Sequence, residues 1–538
     1  MEENELTKSE EDPAARRPPP AARVERHEPR ATLHVARLED SLEPSELAKL
    51  DTAALIAFLT PRRWFGAKAG KPSSARFRDA IRLPWENGRY AIARLEVTTG
   101  SGETKQYQVP LCVRSDDEIG DAPPKSVIAR VVAGDGEGLL FDAVEDGGFL
   151  RALAEAFARG GSFGAEAGKW IVEPLSAKSF IVPPNAELKV GSAEQSNTSL
   201  IIGEQAILKL FRRLEEGENP DVELTRFLTI EAKFAHTPTL LGVIHFEEGG
   251  ATSVAGMLQE FLPKSVDAWS YALDRGKPYF QAAKDKDVAN TFLSDAEKLG
   301  VVTRAMHEAL ATGQSANLAA EPVRKEELQR WASRARDWVR DGLSLLQRQL
   351  RANALPKPRA AEAEALATRT ERYLGVVDEI VNSVSGDAGL ATRIHGDYHL
   401  GQVLRTARDD FMIIDFEGEP ARSLPERREK ASPLRDVAGM LRSFAYAAAT
   451  LGTDARALDL ATRELRVGRW ERDVREAFLR GYLRDEGKTR GILPSDAEHT
   501  RALIRLFETE KAFYELMYEL NNRPDWVWIP MRGIAKLL

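Results

Sequence analysis

The apolar residues of this chain change their period near residue 263, and that change constrains the fold more than any single motif. Before it, short runs alternate apolar with polar residues; beyond it, apolar residues recur three and four apart. Alternation belongs to half-buried strands and the longer period to amphipathic helices, so a sheet-rich part must be joined to a helix-rich part. In the first, "AELKVG", "TSLIIG" and "QAILKLFR" precede the helical "PDVELTRFLTIEAKF", and "TLLGVIHFEE" and "SVAGMLQEFL" follow it. This predicts a five-stranded sheet over about 185–262, with one helix, opened by Pro220 and Asp221, inserted after the third strand. In the second, "AEKLGVVTRAMHEALA", "VREAFLRGYLR" and "RALIRLFETEKAFYELMYEL" predict long helices. Upstream, "LAKLDTAALIAFLT" reads as a helix stopped by Pro61, and "YAIARLEVTTGSGETKQYQVPLCVR" as a β-hairpin. "RRWFGAK" between them reads most simply as an aromatic pair plugging a turn.

A chain of 538 residues exceeds what one core supports. The expected units are 36–180, a small α+β subdomain; 181–262, a β-rich lobe; and 263–538, a helical lobe. Residues 1–35 are rich in Glu, Arg, Pro and Ala with few large apolar groups, so a disordered tail is expected there. The net charge of -8 argues against nucleic acid as a partner. The lone thiol, Cys112, rules out an internal disulfide framework and fits a reducing cytoplasm. There is no apolar run near membrane-spanning length and no secretory signal pattern, so no membrane partner is expected.

One strong β signal stands in the helical half: "RIHGDYHLGQVLRTARDDFMIIDFEGEP", residues 393–420. A small sheet with one helix, then a helical lobe carrying a single hairpin, is the order of elements in a bilobal protein-kinase-like fold of the α+β class. The spacing agrees. "HGDYHLGQ" sets Asp397 two residues after His395 and five before Gln402, as in a kinase catalytic loop with Gln in place of Asn. The turn "TARDD" lets "QVLR" and "FMIID" pair, so Gln402 and Asp415 would stand side by side as oxygen ligands suited to Mg²⁺, with Asp397 facing an incoming hydroxyl. Lys209, on the third strand, would meet the α- and β-phosphates of ATP, and Glu223 on the inserted helix would hold it by an ion pair. Before Lys209 stands "GSAEQSNTS", which is no G-x-G-x-x-G loop, so Ser196, Asn197, Thr198 and Ser199 would supply donors to the phosphates. Gln259, Glu260, Phe261 and Leu262, where the lobes join, would face adenine.

Each piece alone has a plainer explanation. Lys209 could be a solvated edge lysine, Glu223 a surface charge, His395 and Asp397 turn formers. Order and spacing together make a kinase site far the better account.

At these residues the chain resembles the maltokinase family, relatives of the aminoglycoside phosphotransferases. The shared motifs include "HGDYHLGQVL", "IDFEGEP", "LKLFRR" with "GENPDVELTRFL", "SNTS", "RRWFGAK" and "YELMYELNNRPDWVWIP". The resemblance implies an amino-terminal cap subdomain over 36–180 and ATP-dependent formation of maltose 1-phosphate, feeding α-glucan synthesis. It also implies Asp397 as catalytic base, Gln402 and Asp415 as Mg²⁺ ligands, Lys209 with Glu223 as the phosphate-orienting pair, and structural roles for His395 and Asp436. The sugar site is expected to take in His399, Glu417, Tyr514, Glu515, Tyr518, Glu519, Asn522, Arg523 and Trp526, with acids on hydroxyls and aromatic rings on apolar sugar faces. The family is often joined to trehalose synthase; this chain has no room for that domain, which leaves association in trans. "FEGEP" after Asp415 is not D-F-G, and "WFGAKAG" has Ala67 where a glycine is expected. Two other readings stay open: another sugar kinase, such as a glucosamine kinase, or a non-catalytic kinase-like regulatory module.

Overall fold

Alternation along the strand Tyr90–Thr99 sorts its side chains into two cores. Ala91, Ala93, Leu95 and Val97 join Leu33, Leu55, Phe58 and Phe77 on one side. Tyr90 and Ile92 join Phe149, Leu153, Phe157 and Trp170 on the other. A sheet covered on both faces has no solvent side, which is why this strand is almost continuously buried. The computed structural model describes residues 31–537 except 63, 66–70, 120–123, 166–167, 176–181, 184, 192–196, 283–289, 356–358, 421 and 485–490. In it this strand lies in a sheet ordered Thr32–Val35, Val127–Ala133, Gly136–Asp142, Thr104–Ser115, Tyr90–Thr99, Pro72–Leu83.

The first strand of that order corrects the expected tail. Thr32–Val35 pairs in parallel with Val127–Ala133, and Leu33 is buried. Two apolar side chains, Leu33 and Val35, in a four-residue stretch were too short a signal for a strand; residues 1–30 of the tail lie outside the described residues.

A second sheet carries the predicted strands. Its order is Gly161–Ala165, Gly168–Pro174, Leu240–Glu248, Ala251–Glu260, Ala206–Phe211, Asn197–Ile202, Leu188–Val190. It has seven strands, not five. The extra hairpin, Gly161–Ala165 with Gly168–Pro174, pairs onto Leu240–Glu248, so segments assigned to the cap extend the neighbouring lobe's sheet. The two sheets are bolted together. Gln108 donates from Nε2 to the carbonyls of Phe211 (2.7 Å) and Ala255, while its Oε1 accepts from the Trp170 indole. Buried Arg212 pairs with Asp142 at 2.8 Å and lies over the ring of Trp64. Trp64 in turn packs on Tyr107, so the aromatic pair of "RRWFGAK" serves the joint between helix and sheet.

The inserted helix is shorter than predicted. Asn219 caps it by accepting from Asp221 N, it runs Pro220–Arg226, and a π-turn over Phe227–Glu231 ends it.

The helical part packs around Leu434–Asp454, whose buried face meets Leu293–Leu310, Leu460–Tyr482 and Ala497–Asn522. On it rests the loop 395–402, which leads into the hairpin Val403–Arg405 and Phe411–Ile413, with Val403 opposite Ile413. Gly439 permits the close seat: a Cβ there would lie 2.6 Å from the carbonyl oxygen of Tyr398. Among the described residues no helix is long and apolar enough to cross a membrane.

Candidate active site

The loop 395–402 is held from below by one carboxylate. Asp436, in the first turn of Leu434–Asp454, accepts from His395 N at 2.7 Å and Gly396 N at 2.9 Å, and His307 Nε2 lies 3.1 Å from it. His395 Nε2 contacts the carbonyl of Ile414 at 2.9 Å, tying the loop to the hairpin's second strand. Asp397 is thereby presented at the loop's crest. His399 caps the short turn Leu400–Gln402 through its Nδ1.

Gln402 and Asp415 meet across the hairpin, Gln402 Nε2 donating to Asp415 Oδ2 at 2.8 Å. The other oxygen of Asp415 accepts from Lys209 Nζ at 2.9 Å. Burial alone would raise the Asp415 carboxyl, but Lys209, His395 and the Gln402 bond together hold it below its ordinary value. Asp415 has φ 69°, a left-handed turn that aims its side chain at the lysine.

The partner expected for Lys209 needs correction. Lys209 bonds Asp221 Oδ2 at 3.0 Å; Glu223 instead faces Arg393 and Arg428. Two residues along a helix turn the side chain about 200°, so Asp221 and Glu223 point to opposite sides. Asp221 also accepts from Phe416 N at 2.9 Å, spanning the two lobes.

Strand alternation divides the phosphate-side residues. Ser199 is opposite Lys209 and shares a face with Asn197, whose Nδ2 donates to Glu417 at 2.6 Å. Thr198 points to the other face, accepting from Arg212, and so does not face the phosphates as expected. Ser196 lies outside the described residues. Where the lobes join, Gln259 is within the sheet, paired with Ile207 and Leu240, while Phe261 N donates to Gln205 O and the Leu262 carbonyl accepts from Ser265. Glu260 ends its strand.

Glu417, expected beside the sugar, lies on the phosphate side. Oxygen atoms of Asp221, Asp415 and Glu417 lie within 4.8 Å of one another. Burial, with Asp415 adding to it, pushes the Glu417 carboxyl up to about 8. Both oxygens of Asp221 and both of Asp415 accept hydrogen bonds, so a hard divalent cation held by Asp415, Glu417 and the amide oxygen of Gln402 would have to replace the bonds that Asp415 now accepts.

On the other side of Asp397 opens a cavity of about 530 Å³. Its walls come from the helix carrying Trp269, from Tyr446 on Leu434–Asp454, and from Lys511, Tyr514, Glu515, Tyr518, Glu519, Arg523 and Trp526. Asn522 is not among them; it bonds its own helix at the Tyr518 carbonyl. Nor are the acids bare. Glu515 is held by Arg442 at 2.7 Å, and Glu519 by Arg523 at 2.6 Å and the Tyr446 hydroxyl at 2.9 Å. Tyr446 and Trp526 stack at 15°, making an aromatic wall.

Lys511, Trp269 and Tyr446 escaped the sequence reading, and Asp221 was read only as a helix start. Lys511 was detectable: it lies one helical turn before Tyr514 and Glu515, on the same face.

With this geometry in hand, comparisons with known proteins agree on class. Residues 58–146 match the maltokinase N-terminal cap domain. A glucosamine kinase of Streptacidiphilus jiangxiensis is 26% identical over 348 residues, 64% of this chain and 72% of that one. One from Mycolicibacterium smegmatis is 24% identical over 349 residues, 64% and 78% of the two chains. The solved structure of a glucosamine kinase in complex with glucosamine, ADP and inorganic phosphate superposes with a TM-score of 0.63 over 91% of this chain and 98% of that one, at 21% identity.

The architecture is that of a protein-kinase-like phosphotransferase with an added cap. The cap of residues 58–146 is of the maltokinase N-terminal type, and the sequence relatives support a sugar kinase.

Proposed function

We propose that the protein transfers the γ-phosphoryl group of ATP to the anomeric hydroxyl of maltose, giving maltose 1-phosphate. The observation that carries this reading is Asp397, which lines an aromatic-walled cavity of about 530 Å³ and lies on the loop whose end, Gln402, bonds Asp415. That size lies within the range of small-molecule sites. From Lys511 to Tyr518 the wall runs about 10 Å along its helix, more than one pyranose ring spans. Rings of Tyr446, Tyr518 and Trp526 offer the faces on which a second ring can pack.

Phosphoryl transfer proceeds through a loose transition state, so alignment and charge neutralisation are the protein's main contributions. Asp397 orients the hydroxyl and accepts its proton late in the transfer. Lys209, fixed by Asp221 and Asp415, gathers negative charge on the phosphates. Asp415, Gln402 and Glu417 would hold a Mg²⁺ ion, which would neutralise more of that charge. Asp397→Asn tests the assignment: it should fold normally and lose on the order of a hundredfold to ten-thousandfold in turnover. Near-normal turnover would remove Asp397 from the reaction.

The alternative acceptor is glucosamine, the sugar named for the relatives. The charge pairing in the cavity favours an uncharged sugar. A place beside a trehalose synthase acting in trans fits the same reading through its product.

A further inference from the structure

The acceptor cavity holds three carboxylates, and each already has its own cation. Asp397 Oδ1 lies 3.6 Å from Lys511 Nζ, Glu515 is 2.7 Å from Arg442, and Glu519 is 2.6 Å from Arg523. Beneath the floor, Glu419 pairs with Arg422 at 2.9 Å and lies 3.7 Å from Lys511. Its Oε1, the oxygen nearest Lys511, is buried without a hydrogen-bond partner. Among the described residues the cavity therefore has acidic side chains but no surplus negative charge.

Lys511 is the cation nearest the reacting position. Its ammonium rests over the Tyr514 ring, 4.7 Å from the centroid, and only part of the side chain reaches solvent. Burial works against its charge, but Asp397 and Glu419 outweigh that and keep it protonated. An amino sugar brings a second ammonium into this space. Among the described residues each carboxylate there already has a cation beside it, and Lys511 repels the newcomer in a partly dry site where like charges are costly. A hydroxyl at the same sugar position meets no such penalty.

We propose that Lys511 is a specificity-determining residue that selects uncharged sugars over amino sugars. The inference rests on the acceptor-site reading above and deepens it. The same lysine also positions Asp397 through their ion pair.

The test measures glucose and glucosamine as competitors against maltose, at slightly acid pH where the amine is charged, for wild type, Lys511→Met and Lys511→Arg. Glucose and glucosamine differ by one hydroxyl against one ammonium, so the ratio of their inhibition constants reports the charge preference alone. Wild type should favour glucose by on the order of tenfold or more, Lys511→Arg should keep that preference, and Lys511→Met should lose most of it. A general loss of packing would weaken both sugars together and leave the ratio unmoved. If Lys511→Met turns over too slowly, calorimetric binding of the two sugars gives the same ratio. A wild type that prefers glucosamine to maltose and glucose overturns the acceptor reading itself. A wild type that prefers uncharged sugars, with an unchanged ratio in Lys511→Met, overturns only the role of Lys511.

Discussion

Asp221 Oδ2 accepts a hydrogen bond from Lys209 Nζ at 3.0 Å, so the lysine's support comes from the first turn of the inserted helix. Asp221→Asn should cut turnover by about tenfold to a hundredfold, as loss of a supporting partner at a charged site commonly does. Glu223→Gln should affect turnover less and stability more, because it strips a charge from buried Arg393. Steady-state kinetics and melting curves on both variants check this; equal kinetic loss would return Glu223 to the lysine.

The same glutamate gives a pH dependence. Burial pushes the Glu223 carboxyl up, but Arg428 and Arg393 outweigh it and hold the pKa below 4.5. A depressed folded pKa makes the unfolded state bind more protons, so the contribution is full above pH ~4.5 and fades as pH falls through the folded value. Stability of wild type and Glu223→Gln, measured from neutral pH downwards, should therefore converge in acid. A constant gap would contradict the pairing.

Glu417, with its carboxyl pushed up to about 8, should be protonated at pH 7 in the metal-free protein. Binding of Mg²⁺ would then release a proton at pH 7 and release less at higher pH. Calorimetry in buffers of different ionisation enthalpy reads this directly. A heat independent of buffer would take Glu417 out of the cation site.

Gly439→Ala should displace the catalytic loop, because the new Cβ meets the Tyr398 carbonyl oxygen at 2.6 Å. A loss of about 1–3 kcal/mol in stability, with lower turnover, is the expected outcome in denaturant and rate measurements.

Leu33→Ala should cost about 2–5 kcal/mol, since Leu33 anchors an edge strand in the cap core. A change within error in thermal unfolding would mean that Thr32–Val35 is not docked in solution.

What the sequence disclosed about fold and site follows the range of the interactions. The switch of hydrophobic period separates the lobes, and the local turn "TARDD" brings Gln402 to Asp415. Lys209 was readable from its strand and the linker downstream. Asp221 was not, because choosing between it and Glu223 needs the helix's rotation, which its start fixes. Thr198 was misassigned for the same reason, as one step along a strand reverses the face. The strands Gly161–Ala165 and Gly168–Pro174 are short and glycine-bearing and show their sheet only once paired. In the acceptor cavity, spacing put Glu515 and Glu519 on a face with Tyr518. It could not show that Arg442, far upstream, and Arg523, one turn on, already neutralise them.

The most direct test is the product itself. Purified protein, ATP and Mg²⁺ are incubated with maltose, glucose and glucosamine in turn, and the phosphorylated position is read by phosphorus NMR. The account predicts that maltose reacts with the highest catalytic efficiency and carries the phosphate on its anomeric oxygen. Faster phosphorylation of glucosamine or another monosaccharide, or a phosphate on a primary hydroxyl, would contradict it.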